Sequence, residues 1–117
     1  MTTPRNVRVA QSAKRELSEL IQRDLKDERV GGIVSITDVE TSNDCRRMRV
    51  FVSVFGDEAQ QQGTLEALND HLGEIRGEIG RRLRLRFAPE ISFKLDNSLE
   101  RGARVSELLG KIARGEV

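Results

Sequence analysis

The chain has 117 residues, of which 37% are hydrophobic and 33% charged, with a formal net charge of +1 and no tryptophan or tyrosine. This length fits a single domain, and no apolar run approaches the ~20 residues that a membrane helix needs, so we expect no membrane association. The N-terminus lacks an apolar signal core, which predicts a cytoplasmic protein. The single cysteine, Cys45, excludes an intramolecular disulfide and a cysteine-cluster metal site.

Charge is distributed unevenly along the chain despite the near-neutral total. Residues 1–15 hold four basic side chains and no acid, and residues 57–74 hold five acids and no lysine or arginine. Residues 76–86 then hold five arginines against Glu78. A near-neutral total argues against a strongly basic, non-specific nucleic-acid-binding protein, but it is compatible with a bipolar protein that has one basic face.

The first half of the chain predicts one helix followed by a β-hairpin. An apolar stripe at helical spacing runs through residues 6–26, and a glycine pair ends that helix. Residues 33–41 are rich in β-branched side chains and predict the first strand. A turn cluster at residues 42–45 precedes residues 46–55, which alternate between apolar and polar side chains as a half-buried second strand does.

Two helical segments, a strand and a last helix follow. One apolar stripe continues from Leu65 to Leu83, and Gly73 in its middle predicts a helix kink, because glycine costs about 1 kcal/mol relative to alanine inside a helix. Residues 90–96 predict a third strand and residues 99–113 a C-terminal helix. The order α-β-β-α-α-β predicts an α+β domain with helices on one face of a three-stranded sheet. The bent helix pair before the last strand resembles the type II K-homology (KH)-like arrangement, an RNA-binding architecture.

Five closely spaced arginines form the candidate binding surface: Arg76, Arg81, Arg82, Arg84 and Arg86. Apolar residues recur at four-residue spacing from Ile75 to Leu83, so one face of this helix must pack against a core. At about 100° per residue, Arg81 and Arg84 should lie opposite that face. We expect the helix to end near Leu85, before the next proline. A packed helix with outward arginines presents fixed positive charge to a polyanion.

Other chemical signals are weaker. The literal Gly-x-x-Gly at residues 77–80 belongs to the helix stripe and contains an acid, so we interpret it as a packing feature and not as a nucleotide clamp. His71 is the only histidine, has no nucleophilic partner and predicts a packing or surface role. Cys45 lies in a turn and predicts an exposed free thiol. The sheet lacks an aromatic platform for base stacking, and we expect no cofactor, metal or catalytic activity.

An ordered set of short motifs resembles one known family. The motifs are Arg8-Val-Ala-Gln11, Gln22-Arg-Asp-Leu-Lys-Asp-Glu-Arg29, Val39-Glu-Thr-Ser-Asn-Asp44, Gly73-x-Ile-Arg76, Leu83-Arg-Leu-Arg86, Pro89-Glu-Ile-x-Phe93 and Asp96-Asn-Ser-Leu99, followed by Gly102 and Arg104. Together, over about residues 5–110, they closely resemble ribosome-binding factor A, a bacterial family of small-subunit assembly factors. The family usually has an Ala-x-Gly kink, and this chain has His71-Leu72-Gly73, which keeps the glycine and replaces the alanine.

The resemblance implies a type II KH fold and a non-catalytic factor that binds the free, immature small (30S) ribosomal subunit. It also implies contact with 16S rRNA, a role in late 30S maturation and 16S 5′-end processing, and importance in the cold. The residues predicted to contact RNA are Arg5, Arg8, Arg15, Arg76, Arg81, Arg82, Arg84, Arg86, Lys94 and Arg104. Sequence-neutral neutralisation of phosphates is the expected mechanism, and we expect a monomer.

Two other interpretations stay open on the sequence alone. A general KH-type protein that acts on transcripts would bind short single-stranded RNA away from the ribosome with comparable affinity. A protein-interaction domain would use the same basic face to bind an acidic protein, and its complex would survive digestion by ribonuclease.

Overall fold

The computed structural model describes residues 4–30 and 33–96, which form an α+β domain. In chain order the elements are α1 (Arg5–Glu19) with a π-helical turn (Leu20–Asp24), a 3-10 turn (Glu28–Val30), β1 (Ile33–Thr41), β2 (Arg47–Phe55), α2 (Glu58–Asp70), α3 (Leu72–Arg82) and β3 (Glu90–Leu95). The predicted order α-β-β-α-α-β is therefore confirmed. The predicted C-terminal helix at residues 99–113 lies outside the described residues.

The three strands form one mixed sheet in the order β1-β2-β3. β1 and β2 pair antiparallel as the predicted hairpin, whereas β2 and β3 pair parallel. A parallel pair needs a crossover connection, which α2 and α3 supply. Side chains alternate along β2 as predicted: Met48, Val50, Val52 and Val54 are buried, and the residues between them are exposed or half-buried.

One apolar core lies between the sheet and the helices. Its helical members are buried at the spacing that the sequence predicts: Ala13, Leu17, Leu20 and Ile21 from α1 and its π-helical turn, Leu68 from α2, and Ile75 and Ile79 from α3. The start of α2 is fixed by a capping box, in which the Gln60 N–H donates to Asp57 Oδ1 at 2.8 Å and the Asp57 N–H donates to Gln60 Oε1 at 2.8 Å. The core therefore fixes which side of α3 faces outward.

The kink between α2 and α3 falls at His71, two residues before the predicted position at Gly73. His71 has φ −97° and ψ 13°, outside the helical region, whereas Gly73 lies in the first turn of α3 with open space around it. The His71 ring bridges two acids, with Nε2 3.1 Å from Asp27 and Nδ1 3.3 Å from Glu74. The break between α2 and α3 therefore coincides with a residue whose side chain bridges two acids, a contact that a glycine could not make.

The end of α3 differs from its prediction near Leu85. The helix ends at Arg82, and Arg84 adopts φ 54° in the left-handed region. The Leu85 N–H donates to the Gly80 carbonyl at 2.9 Å and the Arg84 N–H to the Arg81 carbonyl at 3.1 Å, which together form a Schellman motif. Arg84 therefore lies in the turn after α3 and not on its outer face.

Cys45 is 1% exposed, so the predicted exposed thiol is wrong. The Cys45 N–H donates to the Ser42 carbonyl at 2.9 Å, and its φ of 62° is left-handed. This tight turn leaves the cysteine side chain inside the domain, where a thiol behaves as a small apolar group.

Candidate nucleic-acid interface

The turn between α3 and β3 carries exposed arginines. Arg84 and Arg86 are both exposed, and within residues 4–30 and 33–96 neither has an ion-pair or hydrogen-bond partner for its guanidinium group. Their position follows from Gly80, because a Cβ at that residue would lie 3.3 Å from the Phe87 carbonyl oxygen. The absence of a side chain at Gly80 lets the turn pack directly on α3, and the two arginines project outward.

The other arginines of the basic stretch are more strongly engaged. Arg81 is 72% exposed and pairs only with Glu78 among the described residues, at 2.7 Å. Arg76 is half-buried, and its Nε donates to the Pro89 carbonyl at 2.8 Å. Arg81 is therefore open to a partner, and Arg76 holds the start of β3 against α3.

Arg82 forms a network of ion pairs inside the domain. Its side chain is 22% exposed, and it contacts Asp24 through Nη2, Glu78 through Nε at 3.0 Å and Glu16 through Nη1 at 3.4 Å. Hydrogen bonds to Asp24 first, and then to Glu78, raise the pKa of Arg82 above its usual range. Hydrogen bonds from Arg81 first, and then from Arg82, hold the pKa of Glu78 below its ordinary value. Arg82 thus fastens α3 to α1 and to the π-helical turn.

The predicted arginines of the first helix are Arg5, Arg8 and Arg15, and all three are exposed on α1. The first turn of α1 contains no acid. A positive charge near the start of a helix is unfavourable beside the helix dipole, so the basic side chains there do not stabilise the helix. Asn6 Nδ2 donates to the Thr41 carbonyl at 3.2 Å, which places the start of α1 beside the end of β1.

The hairpin turn between β1 and β2 is flanked by both basic segments. Asn6 brings the start of α1 to one side. On the other side, the Glu90 N–H donates to the Arg46 carbonyl at 2.8 Å, and the Arg46 guanidinium carbon lies 4.8 Å from the centre of the Phe87 ring. Segments from opposite ends of the described sequence therefore flank one turn.

Lys94 lies apart from these arginines. Lys94 is exposed on the open face of the sheet, where it pairs in register with Phe51. Arg104 lies outside the described residues. The predicted set does not include Arg46, which the sequence favoured as a capping or ion-pairing residue of an exposed strand edge; only the fold brings it beside Phe87.

Neither a metal-ligand cluster nor a membrane-spanning helix is found in the described part of the chain. No cluster of three or more His, Cys, Asp or Glu side chains there could hold a metal ion. No helix within residues 4–30 and 33–96 is long and apolar enough to cross a membrane. What the described residues do present is an unevenly charged surface with exposed arginines near one end of the sheet.

The fold and this surface define a KH-like α+β domain with a basic outer region. The chain belongs to the ribosome-binding factor A family, whose family model matches residues 5–109. A ribosome-binding factor A from Halothermothrix orenii is 47% identical over 116 residues, which cover 99% of this chain and 94% of that protein. One from Gloeobacter violaceus is 48% identical over 118 residues and covers 99% and 92%.

Solved structures agree with this assignment. The crystal structure of ribosome-binding factor A from Thermus thermophilus has a TM-score of 0.67 at 29% identity and covers 77% of this chain and 94% of its own. A solution structure of a Thermotoga maritima protein described as a possible ribosome-binding factor A has a TM-score of 0.64 at 33% identity and covers 80% and 90%. A Thermus thermophilus homology model, with a TM-score of 0.62 at 29% identity, was fitted into a cryo-EM map of a complex of 30S with ribosome-binding factor A, and covers 75% and 91%.

Proposed function

We propose that this chain is a non-catalytic ribosome assembly factor that binds the free, immature small subunit through phosphates of 16S rRNA. Family membership carries the proposal, since its relatives are named for ribosome binding and one was fitted to a 30S complex. The finer role is late 30S maturation with 16S 5′-end processing, of most importance in the cold. The factor acts in the cytoplasm as a monomer and uses no cofactor.

The exposed arginines supply the physical basis of binding. Each arginine that neutralises a phosphate releases a condensed counterion, so affinity falls as salt rises. Arg84 and Arg86 have no competing ion pair among the described residues, and Arg81 gives up only one exposed pair, which contributes little in water. Arg5, Arg8 and Arg15 extend the contact along α1, Lys94 is a more distant member of the predicted set, and Arg104 belongs to the set by prediction alone.

Arg76 and Arg82 have a different part in this proposal. Their hydrogen bonds fix the α3–β3 connection and the junction of α3 with α1. They keep the exposed arginines in place, and any phosphate contact from Arg82 would have to compete with Asp24, Glu78 and Glu16. A positioning role is therefore the simpler assignment for Arg82.

Sedimentation of the tagged protein in lysate from cold-shifted cells tests the proposal. We expect co-migration with free small subunits, and loss of that co-migration at higher salt. The double variant Arg84→Ala/Arg86→Ala should migrate with subunits less, while Arg23→Ala/Lys26→Ala removes two basic charges at the end of the first helical segment and serves as the matched control. Migration with polysomes would instead support the transcript-binding protein, and a complex that resists ribonuclease would support a protein partner.

A further inference from the structure

Two loops meet at a cleft on the edge of the domain. One is the hairpin turn between β1 and β2, and the other is the connection between α3 and β3. The cleft has a volume of about 440 Å³, within the range of sites that hold a small-molecule-sized group. It is lined by Ser42, Asp44, Arg46, Arg47, Arg76, Phe87, Ala88 and Glu90.

Both loops contain backbone strain. Among the described residues, the non-glycine residues with positive φ are Cys45 at 62° and Arg84 at 54°. One immediately precedes Arg46, and the other lies three residues before Phe87. Left-handed backbone at a non-glycine residue is unfavourable and persists only where surrounding contacts enforce it, often at binding sites. These two strained turns set the positions of the groups that line the cleft.

Arg46 and Phe87 form the most specific element of the cleft. The guanidinium carbon of Arg46 lies 4.8 Å from the ring centre of Phe87, which is a cation–π contact. The acid nearest to Arg46, Asp44, is 3.9 Å from its Nε, so the ion pair is long. The guanidinium group is therefore held by an aromatic ring and keeps its hydrogen-bond donors available.

The acids of the cleft are already engaged. The Ser42 hydroxyl donates to Asp44 Oδ1 at 2.7 Å and the Arg46 N–H donates to the same atom at 3.1 Å. These hydrogen bonds, that of Ser42 first, lower the pKa of Asp44, so its carboxylate stays ionised and closes the turn. Glu90 pairs with Arg47 at 3.5 Å in an exposed position, where a phosphate can displace it.

The side chains that line the cleft suit a single nucleotide as the ligand. Three arginines against two acids favour an anion, and guanidinium groups donate well to phosphate oxygens. The exposed Arg46 guanidinium, which lies over the Phe87 ring, offers a flat outer face on which any base can stack without sequence selectivity. A base inside a duplex is covered by its neighbours, so only an unpaired nucleotide can use this face.

We propose that the cleft binds one unpaired nucleotide of small-subunit RNA, with its base stacked on the Arg46 guanidinium that Phe87 supports and its phosphate on Arg47 in place of Glu90. This inference rests on the proposed function and specifies one of its contacts. It adds a stacking group to a surface that otherwise offers only charge. Recognition of one unstacked base makes the factor sensitive to local RNA folding, because the contact is lost once that base pairs.

A single tryptophan tests the stacking directly. The chain contains no tryptophan or tyrosine, so Phe87→Trp creates a unique fluorescent reporter in the cleft. Titration with an oligoadenylate of about ten nucleotides should quench its emission saturably. Phe55→Trp is the matched control, because Phe55 is 79% exposed at the other end of β2, roughly 26 Å away at about 3.3 Å per residue.

Binding to purified 30S subunits tests the role of the cleft. Phe87→Leu keeps apolar volume and removes the ring that supports the Arg46 guanidinium, and Arg46→Ala removes the guanidinium itself; each should weaken binding about fivefold or more. Arg23→Ala removes an arginine that is 76% exposed outside the cleft and should leave affinity unchanged. Glu90→Gln should tighten binding, since it removes a competing acid. Thermal denaturation of each variant confirms folding.

The outcomes separate this inference from the proposed function. If the unaltered chain does not bind subunits, the proposed function itself fails. If it binds but Phe87→Leu and Arg46→Ala behave like Arg23→Ala, the cleft assignment is wrong while subunit binding stands. Equal behaviour of the two tryptophan reporters would likewise overturn the cleft assignment.

Discussion

Substitution of Arg84 by glycine should stabilise the domain and weaken RNA binding at the same time. Arg84 is held at φ 54° by the Schellman motif that ends α3. A left-handed conformation costs a non-glycine residue about 1–2 kcal/mol, whereas glycine adopts it freely. Glycine also gains more freedom in the unfolded chain, which offsets about 0.4–1 kcal/mol of that relief. The expected net stabilisation is therefore about 0.5–1 kcal/mol.

Denaturant unfolding followed by circular dichroism measures this stability. For a domain of this size the expected gain corresponds to a rise of about 2–6 °C in the melting temperature. If Arg84 contacts a phosphate as we propose, the same variant loses that contact, so the slope of log affinity for 30S subunits against log salt should fall by about 1. Stability and binding should thus change in opposite directions, which a general loss of structure cannot produce.

Arg84→Ala is the control that separates strain from charge. Alanine loses the same charge but keeps a Cβ, so it remains strained at φ 54°. Arg84→Gly and Arg84→Ala should bind subunits equally weakly, and only the glycine variant should gain stability. If the two variants are equally stable, or if the glycine variant is the less stable, the left-handed turn does not carry the strain that we assign to it.

Three further changes test the packing and the kink. Gly80→Ala should be less stable than Gly73→Ala, because its Cβ would meet the Phe87 carbonyl oxygen at 3.3 Å and this contact offsets the ~1 kcal/mol that alanine gains over glycine in a helix. Gly73→Ala has open space in the same helix and should stabilise it by up to ~1 kcal/mol; urea titrations that rank the two alike would refute the packing argument. The pKa of His71 is raised above 6.5, chiefly by Asp27. Its stabilising contribution is therefore complete below about pH 6.5 and declines as pH rises through the raised value. The melting temperature of the unaltered chain should exceed that of His71→Gln by less and less between about pH 6 and 9, and a constant gap would refute the bridge.

Sequence periodicity predicted the helical faces and strand alternation correctly because both depend on near neighbours. The apolar stripe from Leu65 to Leu83 needed no knowledge of the partner surface, and neither did the alternation along β2. Two local departures from these patterns were not predicted. Cys45 is buried by the left-handed geometry of its own turn, and the kink lies at His71, whose ring contacts Asp27 from another segment.

The sequence by itself determined the element order, the core faces, the family and the presence of a basic segment. These features follow from local periodicity and from ordered motifs within one stretch of chain. Only the tertiary structure decided which arginines remain available. Arg82 pairs with Asp24 and Glu16, residues 58 and 66 positions away, while Arg46 meets Phe87 across two loops. Such contacts depend on how the helices and strands pack, because charges that are distant in the chain become neighbours only when the core brings them together.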